Sequence, residues 1–460
     1  MLQNKLLKMK PLTILMLLVL LIAPARGKSQ QQYDLQALLK HAVEHSHTIK
    51  KASLQQAESG SKVKEVTANG LPQVEGSISY SRMGLPEINI SEEMLEALPE
   101  EISPLLSGLS DINAFHTSSA GVTISQLLYS KSFLTGVKQA KRAEDLYRIL
   151  LQKTEEDVIH EVASNYYQAL MNYSNLETLN RNIENLERLH DILKLQYEND
   201  FVKQTDVSRL KVTVTNLKTQ RKTLQNGIQV QERVLKILTG IPAETSMLLD
   251  TAVLRTMDYR QPAITDYSPE LLPEYQALQK QTELAGLQIE SSKAAFHPNL
   301  AAYGQFTYSS YATEFKFDDF SNMNTIGLKA TIPIFSSGMR KQQLRQSQLK
   351  LQQSQEDFDL TTKYLETGYQ NAVNSLYSAW SNLQDQQENK ELANEVYGQV
   401  KLQFNEGMAS LTDLLNVESS LLEAESLFNQ QLLKYKLAEM ELLKASGKLT
   451  SLLGPHAPDF

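Results

Sequence analysis

Apolar residues recur at alternating steps of three and four along two stretches of the chain, 207–238 and 414–445. The second stretch repeats the first at an offset of 207 residues, as from Asp206 to Asp413, and both run into a glycine, Gly240 or Gly447. This spacing is a heptad pattern, which is typical of helices that pack lengthwise against neighbouring helices. The chain is therefore predicted to contain two copies of one helical unit.

A longer helix is predicted before each stretch, because no proline or other break interrupts residues 131–199 or 339–406. Each would contain about 69 residues and extend about 100 Å. Two shorter helices, over 34–69 and 205–238, are predicted to accompany the first of them. The heptad seam of the second long helix is small and polar for a coiled coil, and it comprises Leu344, Gln348, Leu351, Gln355, Phe358, Thr362, Leu365, Tyr369, Ala372, Leu376, Ala379 and Leu383.

Two strand-like runs lie between the short and the long helix in each copy, with apolar residues on one face and small or polar residues on the other. Each run has about 9 to 11 residues, the length of a tilted transmembrane β-strand. Ordinary surface hairpins are the alternative. The apolar positions are Val74, Gly76, Ile78 and Tyr80; Val122, Ile124 and Leu128; Leu300, Ala302, Gly304, Phe306 and Tyr308; and Ile326, Leu328, Ala330, Ile332 and Ile334.

Four strands cannot cross a bilayer as an open sheet, because backbone donors and acceptors cannot stay unpaired in lipid. Three chains would supply twelve strands and close a barrel with a lumen lined by the Ser, Thr, Gln and Lys face. The predicted fold is therefore mainly α with a small β part. It is a trimeric α-helical barrel of long coiled-coil helices, continuous with a twelve-stranded transmembrane β-barrel to which each chain gives four strands.

Composition narrows the classes of function. The 460 residues carry a net charge of −8 and no cysteine, which excludes disulfide scaffolds, thiol catalysis and zinc knuckles. Only 19 glycines and 14 prolines occur, as expected for long elements with few turns. The acidic balance argues against a nucleic-acid partner. No Gly-x-Ser-x-Gly or dinucleotide motif is present, so neither an enzyme nor a cofactor is expected.

The N-terminus has the features of a secretory signal. Three lysines up to Lys10 precede an apolar run over 12–22, and Ala23-Pro24-Ala25 provides a small-residue cleavage site. Residues 1–25 are therefore predicted to be a signal peptide, so the protein is expected to be exported. No cysteine is available to carry an acyl anchor after cleavage.

Several motifs accompany the repeat: Phe404-Asn405-Glu406-Gly407 followed by Asp413-Leu414-Leu415, Ile332-Pro333-Ile334-Phe335 followed by Gly338, and Leu71-Pro72 and His297-Pro298 opening the hairpins. Together they resemble the TolC-like outer-membrane efflux protein family, over essentially the whole mature sequence. The resemblance implies a homotrimeric channel-tunnel in outer-membrane lipid of a Gram-negative bacterium, extending into the periplasm. It also implies two partners, a periplasmic adaptor (membrane fusion) protein and an inner-membrane RND or ABC transporter.

Under this resemblance the chain divides into a first repeat over 33–240, a linker or equatorial segment over 241–268, a second repeat over 269–447 and a C-terminal tail over 448–460. The turns at 197–206 and 404–413 would form the periplasmic tip that meets the adaptor. Gly407 suits a left-handed helix cap, and Asp200 replaces glycine in the first copy. The residues expected to contact the adaptor, or alternatively to pack within the turn, are Asp200, Phe201, Val202, Gly407, Met408 and Ala409.

The family lines its pore constriction with two carboxylates at the start of the second returning helix. Here those positions are Asp413 and Asn416, so one charge of the pair is missing. Ser410 and Asp413 also have capping-box spacing, and Asp206 repeats the acid in the first copy. Capping alone and capping combined with a three-fold acidic ring both remain open; mutual repulsion in a ring would raise the pKa of Asp413.

Two further features favour no chemistry. The acidic segment 84–119 is expected to be an extracellular loop, with a phage-receptor or cation-attracting role as the alternative. His41 and His45 share a helix face but lack supporting ligands, so no metal site is predicted.

The predicted function is a passive exit duct of a tripartite efflux or type I secretion system, conducting small molecules or polypeptides. The alternative is a periplasmic coiled-coil scaffold or adaptor without a pore.

Overall fold

The computed structural model describes residues 31–84, 114–256, 259–262, 266–313 and 319–454. The predicted signal peptide and residues 85–113 of the acidic segment 84–119 lie outside the described residues. The elements are, in chain order, β1 (Gln31–Tyr33), α1 (Leu35–His45), α2 (His47–Ala68), β2 (Gln73–Gly84), β3 (Ala114–Ser130), α3 (Lys131–Glu198), α4 (Gln204–Thr239), β4 (Met247–Leu249), α5 (Val253–Thr256), α6 (Pro273–Ala294), β5 (Asn299–Ala312), β6 (Ser321–Thr331), α7 (Met339–Asn405) and α8 (Leu411–Ala445).

The two long helices and the two returning helices follow the prediction closely. Helices α3 and α7 contain 68 and 67 residues, and both end one residue before the predicted limit. Helices α4 and α8 begin at Gln204 and Leu411, which preserves the offset of the repeat. Within the described residues, no helix is both long enough and apolar enough to cross a membrane.

The predicted helix over 34–69 is wrong in one respect, because Ser46 divides it into α1 and α2. Ser46 is extended, at φ −60° and ψ 129°, and is almost fully buried. At this break the backbone oxygen of His45 lies so close to Gly240 that a Cβ there would approach it to 2.4 Å. Nδ1 of His41 lies 2.8 Å from the carbonyl oxygen of Thr239. Close packing of α1 against the end of α4 therefore accompanies the break.

The chain forms two compact units, and α3 and α7 give residues to both. The first comprises 1–49, 155–267 and 369–460. In it, α3 has antiparallel neighbours on two sides. Polar contacts with α8 are Asp157–Lys444 (2.9 Å), His160–Glu441 (3.1 Å) and Arg181–Glu425 (3.2 Å), and contacts with α4 include Glu187–Lys218 (2.5 Å) and the hydrogen bond from Tyr173 to Glu232.

The first unit also holds the shorter elements. Strands β1 and β4 pair in parallel, from Gln31–Met247 to Tyr33–Leu249. Thus the predicted linker over 241–268 contributes a strand and the short helix α5. At the other end of the chain, Leu449–Leu453 forms a 3₁₀ turn whose Leu449 is fully buried.

The second unit comprises residues 50–154 and 268–368. Here α6 lies between α3 and α7. It contacts α3 through Gln139 and Gln288, whose side-chain atoms are 3.1 Å apart. It contacts α7 through hydroxyl groups, with Ser292 and Ser347 at 2.7 Å and Thr282 and Ser354 at 3.0 Å. The predicted seam is therefore wrong by one residue in this part of α7, where Ser347 and Ser354 face α6 instead of Gln348 and Gln355.

The second unit also contains an antiparallel sheet in the order β2-β3-β5-β6. Its register sets Val74, Ile124, Gly304 and Ile326 in one row, so the predicted apolar positions of the four strands share a face. A register shift between Leu127 and Tyr129 accounts for the irregular alternation predicted there.

The predicted strand limits were less accurate. Strands β2, β3 and β5 have 12, 17 and 14 residues, because serine-rich segments continue the hydrogen-bond ladder without apolar alternation. Strand β6 ends at Thr331, before the predicted Ile332 and Ile334. Pro333 has no N–H to donate, which explains the early end.

Candidate functional site

Both long helices end in the same backbone motif. In the first turn, the N–H of Asp200 donates to the carbonyl of Tyr197 (2.9 Å) and that of Phe201 to Gln196 (2.9 Å). In the second, the N–H of Gly407 donates to Phe404 (3.0 Å) and that of Met408 to Gln403 (2.8 Å). Asp200 and Gly407 have φ of 61° and 74°, which completes a Schellman cap in each turn.

The residues after these caps differ in exposure. Phe201 and Met408 are 81% and 74% exposed. Val202 is partly buried against an apolar cluster that includes Leu193, Leu210 and Leu411, and Ala409 is half-buried. Each turn therefore presents one large apolar side chain outward while the next residue lies partly inside the turn.

A capping box begins α8. The N–H of Asp413 donates to Oγ of Ser410 (3.1 Å), and the N–H of Ser410 donates to Oδ2 of Asp413 (3.1 Å). The Ser410 hydroxyl also donates to Oδ2, at 2.6 Å. These bonds, led by the hydroxyl, hold the pKa of Asp413 below its usual range. Asp413 is exposed, as is Asn416 one turn further along α8.

The first copy repeats the acid, as predicted, but it lacks the capping box. Asp206 does lie in the first turn of α4. The preceding cap position is Lys203, whose side chain makes no capping bond, because lysine has no acceptor for the helix N–H groups. The two repeat-related aspartates therefore have different surroundings.

Two polar contacts near these turns were not predicted. Arg209 donates to the hydroxyl of Thr412 and so joins α4 to α8. Glu418 is only 5% exposed and accepts a hydrogen bond from Asn182 of α3 (3.3 Å). Burial raises the pKa of Glu418 to about 7, although Lys401 of α7 lowers it in part. The spacing of Leu411, Leu414 and Glu418 by three and four is the signal that could have found this buried acid.

The sheet has two chemically distinct faces. On one face the pairing register forms a row of four serines, Ser79, Ser119, Ser309 and Ser321, and the hydroxyls of Ser79 and Ser119 are 2.7 Å apart. On the other face large apolar residues are exposed in the chain, led by Ile78 at 90% and Ile326 at 93%. Such a sheet fits between an apolar and an aqueous phase.

The predicted histidine pair does not form part of a ligand cluster. The rings of His41 and His45 are 4.4 Å apart, and Nδ1 of His41 contacts the Thr239 carbonyl. Among the described residues, no group of three or more His, Cys, Asp or Glu side chains could hold a metal ion.

The long paired helices and the amphipathic sheet define a class, that of outer-membrane channels built from both. The family model "Outer membrane efflux protein" matches residues 38–240 and 271–448, and the chain belongs to this family. It is accordingly an outer-membrane protein that extends into the periplasm. The matched segments correspond to most of the two predicted repeats.

Individual relatives agree with this membership. The chain is 22% identical over 417 residues to outer membrane protein TolC of Salmonella enteritidis, which covers 82% of this chain and 84% of TolC. Its fold is similar to that of the outer membrane protein VceC of Vibrio cholerae, with a TM-score of 0.67, 16% identity, and coverage of 90% and 96%. It is also similar to the open-state MtrE outer membrane channel of Neisseria gonorrhoeae, with a TM-score of 0.69, 18% identity, and coverage of 90% and 89%.

Proposed function

We propose that three copies of the chain form a passive exit duct through the outer membrane. The observation that carries this proposal is the four-stranded amphipathic sheet. Its edge strands are β2 and β6, and among the described strands neither has a partner on its outer side. An open edge in lipid leaves backbone groups unsatisfied at several kcal/mol each. Three sheets joined edge to edge make a closed barrel of twelve strands, with the serine-rich face lining the lumen.

The long helices extend this lumen through the periplasm, and their turns narrow it. In this arrangement Asp413 and Asn416, exposed on the first two turns of α8, face the axis from each of three subunits. The capping box accounts for the position of Asp413 without a pore, so a role in the constriction is a further proposal. No reaction is required of the duct, because an inner-membrane pump supplies the energy for transport.

The two turns are the proposed contact with a periplasmic adaptor. Exposed Phe201 and Met408 are the anchors, since large apolar side chains that protrude from a rigid backbone cap can be buried in a partner without reordering the turn. Asp200 and Gly407 fix the caps, and Val202 and Ala409 support the turns from within. The adaptor links the duct to an RND pump that exports small molecules or to an ABC transporter that exports polypeptides.

Reconstitution tests the proposed duct. The purified protein in detergent is expected to be a trimer by light scattering, and in planar bilayers it is expected to give discrete conductance steps. Recovery of the protein from the soluble periplasm as a monomer, without detergent, would contradict the proposal. A membrane-bound trimer without conductance even after the turns are loosened by Gly407→Ala would contradict the duct while leaving the assembly intact.

A further inference from the structure

The two outer strands of the sheet match each other in length, charge and apolar surface. We propose that β2 of one subunit pairs antiparallel with β6 of the next in one specific register. In this register Glu75 lies opposite Lys329, and Ile78 lies opposite Ile326. The inference rests on the proposed trimer and adds the residues that join its subunits.

Strand length supports this register first. Strand β2 runs from Gln73 to Gly84 and β6 from Ser321 to Thr331. If Gln73 lies opposite Thr331 of the next subunit, Met83 lies opposite Ser321. The helix-side ends are then flush and the other ends differ by Gly84 alone, so neither strand leaves a long tail of unpaired backbone groups in lipid.

Charge supports the same register independently. Within the described strands, Glu75 and Lys329 are the two charged residues on the serine-rich face. They have opposite signs, they lie on the two edge strands, and each is two residues from the helix-side end of its strand. Both are exposed, and neither has an ion-pair partner among the described residues. With the strand ends flush, these two residues become direct cross-strand neighbours, an arrangement that stabilises a sheet.

The apolar face gives a third agreement. Ile78 and Ile326 are the most exposed apolar side chains of the sheet, at 90% and 93%, and the flush register places them directly opposite each other. A β-branched pair at this position packs across the join. The pairs on either side of it are Gly76 with Leu328 and Tyr80 with Asn324.

The stagger that this register requires agrees with barrel geometry. Within one chain, the row of Glu75 runs through Thr123 and Gln305 to Thr325. Lys329 lies four residues beyond Thr325 along β6. For a barrel whose strands tilt by 35–45°, four strands per subunit produce a stagger of about 4–6 residues from one subunit to the next. The proposed value lies at the lower end of this range.

Disulfide trapping tests the register, and the absence of native cysteine removes background. Glu75→Cys and Lys329→Cys are combined in the full-length protein, and isolated outer membranes are oxidised with copper phenanthroline. Within one chain these residues are separated by three strand spacings, about 14 Å, and by four residues along the strand, about 13 Å, which is too far for a disulfide. Covalent dimers and trimers are therefore expected on denaturing, non-reducing gels, and Ile78→Cys with Ile326→Cys should give the same ladder.

Matched pairs provide the controls. The controls combine Lys329→Cys with either Ser77→Cys or Ser79→Cys. These serines lie on the same face as Glu75 but are two and four residues further along β2, so both pairs should crosslink several-fold less. Stronger crosslinking by either shifted pair, in protein that remains trimeric, would overturn the register while leaving the proposed duct intact. Absence of trimers from the unmodified protein would overturn both.

Charge reversal gives a second test that needs no cysteine. Glu75→Lys or Lys329→Glu alone places like charges opposite each other and should lower the temperature at which the trimer dissociates in detergent. The double variant restores opposite charges and should recover most of the loss. If the double variant instead loses as much stability as the two single variants together, the two side chains do not meet.

Discussion

Asp200 and Gly407 adopt the same left-handed backbone conformation, at φ 61° and 74°, although they are 207 residues apart and chemically different. Each is the second residue after a long helix, and in each turn the N–H of the following residue donates to the carbonyl five residues before it. The repeat has therefore preserved the conformation and not the residue. Aspartate tolerates this region better than most residues, but glycine adopts it without steric cost.

Gly407→Ala should destabilise the turn by about 1 kcal/mol, because an L-residue is strained in this conformation. A Cβ at Gly407 would have no neighbour within 4 Å, so the cost would come from the backbone alone. Asp200→Gly should be neutral or slightly stabilising. The measurement is the midpoint of helix melting by circular dichroism in detergent at fixed protein concentration. Gly398→Ala, in an exposed part of helix α7, is the control and should raise the midpoint.

Gly240→Ala should be more damaging than Gly407→Ala. Gly240 also has a positive φ, of 74°, and an added Cβ would lie 2.4 Å from the backbone oxygen of His45. Backbone strain and a backbone clash therefore combine, and we expect a loss of at least about 2 kcal/mol. Gly227→Ala is the matched control in α4, where a Cβ meets nothing within 4 Å. Equal melting of the two variants would show that α1 does not press against Gly240.

The long elements could be predicted from sequence because their signals are local and repeated. The ends of α3 and α7 are set by turns whose offset is visible in the sequence. The break at Ser46 could not be predicted, since the residues on both sides favour helix and the break accompanies packing against Gly240, far away in the chain. Similarly, the full length of β3 could not be predicted, because there is no apolar alternation at Thr117, Ser118 and Ser119. Only the pairing of these residues with β2 shows that they belong to the strand.

In the candidate site, too, local features could be predicted and features that depend on distant packing could not. The cap formed by Ser410 and Asp413 could be predicted, because the bonds join residues three apart. Glu418 was missed because the apolar pattern over 414–445 continues from Leu414 to Val417, one position away. Whether a polar residue on a helix is buried depends on the neighbouring helices, here α3 through Asn182. The proposed adaptor contact and the proposed pore lining involve other chains, so for these the sequence supplies a resemblance and the structure supplies exposure.

Glu418 should make stability depend on pH. Its folded pKa of about 7 lies above the ordinary value of 4.5, so the folded protein binds the proton more tightly than the unfolded chain does. Stability should therefore fall as pH rises from about 4.5 to about 7, by up to about 3 kcal/mol per subunit, and change little above that.

Glu418→Gln keeps an acceptor for Asn182 but cannot ionise. The variant should melt at a higher temperature than the unmodified protein at pH 8, with little difference at pH 4.5. Glu423→Gln, at an exposed position of the same helix, is the control and should follow the unmodified protein at both pH values. An unchanged pH dependence in Glu418→Gln would show that this carboxyl is not buried in the assembly.

Asp413 should control ion flow if three copies face the pore axis. Asp413→Ala should then raise single-channel conductance in planar bilayers and weaken block by divalent cations, because it removes both bulk and charge from the narrowest point. Ser410→Ala separates this role from capping, since it removes the hydroxyl cap and retains the carboxylate, and it should leave cation block in place. Asp206→Ala, the repeat-related acid, should change neither property.

The pH dependence of the block distinguishes a ring from three isolated caps. In one chain the hydrogen bonds from Ser410 lower the pKa of Asp413, so the carboxylate of an isolated cap stays charged down to acidic pH. The stability that this cap contributes is lost only as pH falls through the lowered pKa. In a ring, mutual repulsion raises the pKa and opposes this effect. Cation block that disappears on mild acidification in the unmodified protein, and is absent at every pH in Asp413→Ala, supports the ring. If cation block and conductance are the same in the unmodified protein and in Asp413→Ala, Asp413 acts only as a helix cap.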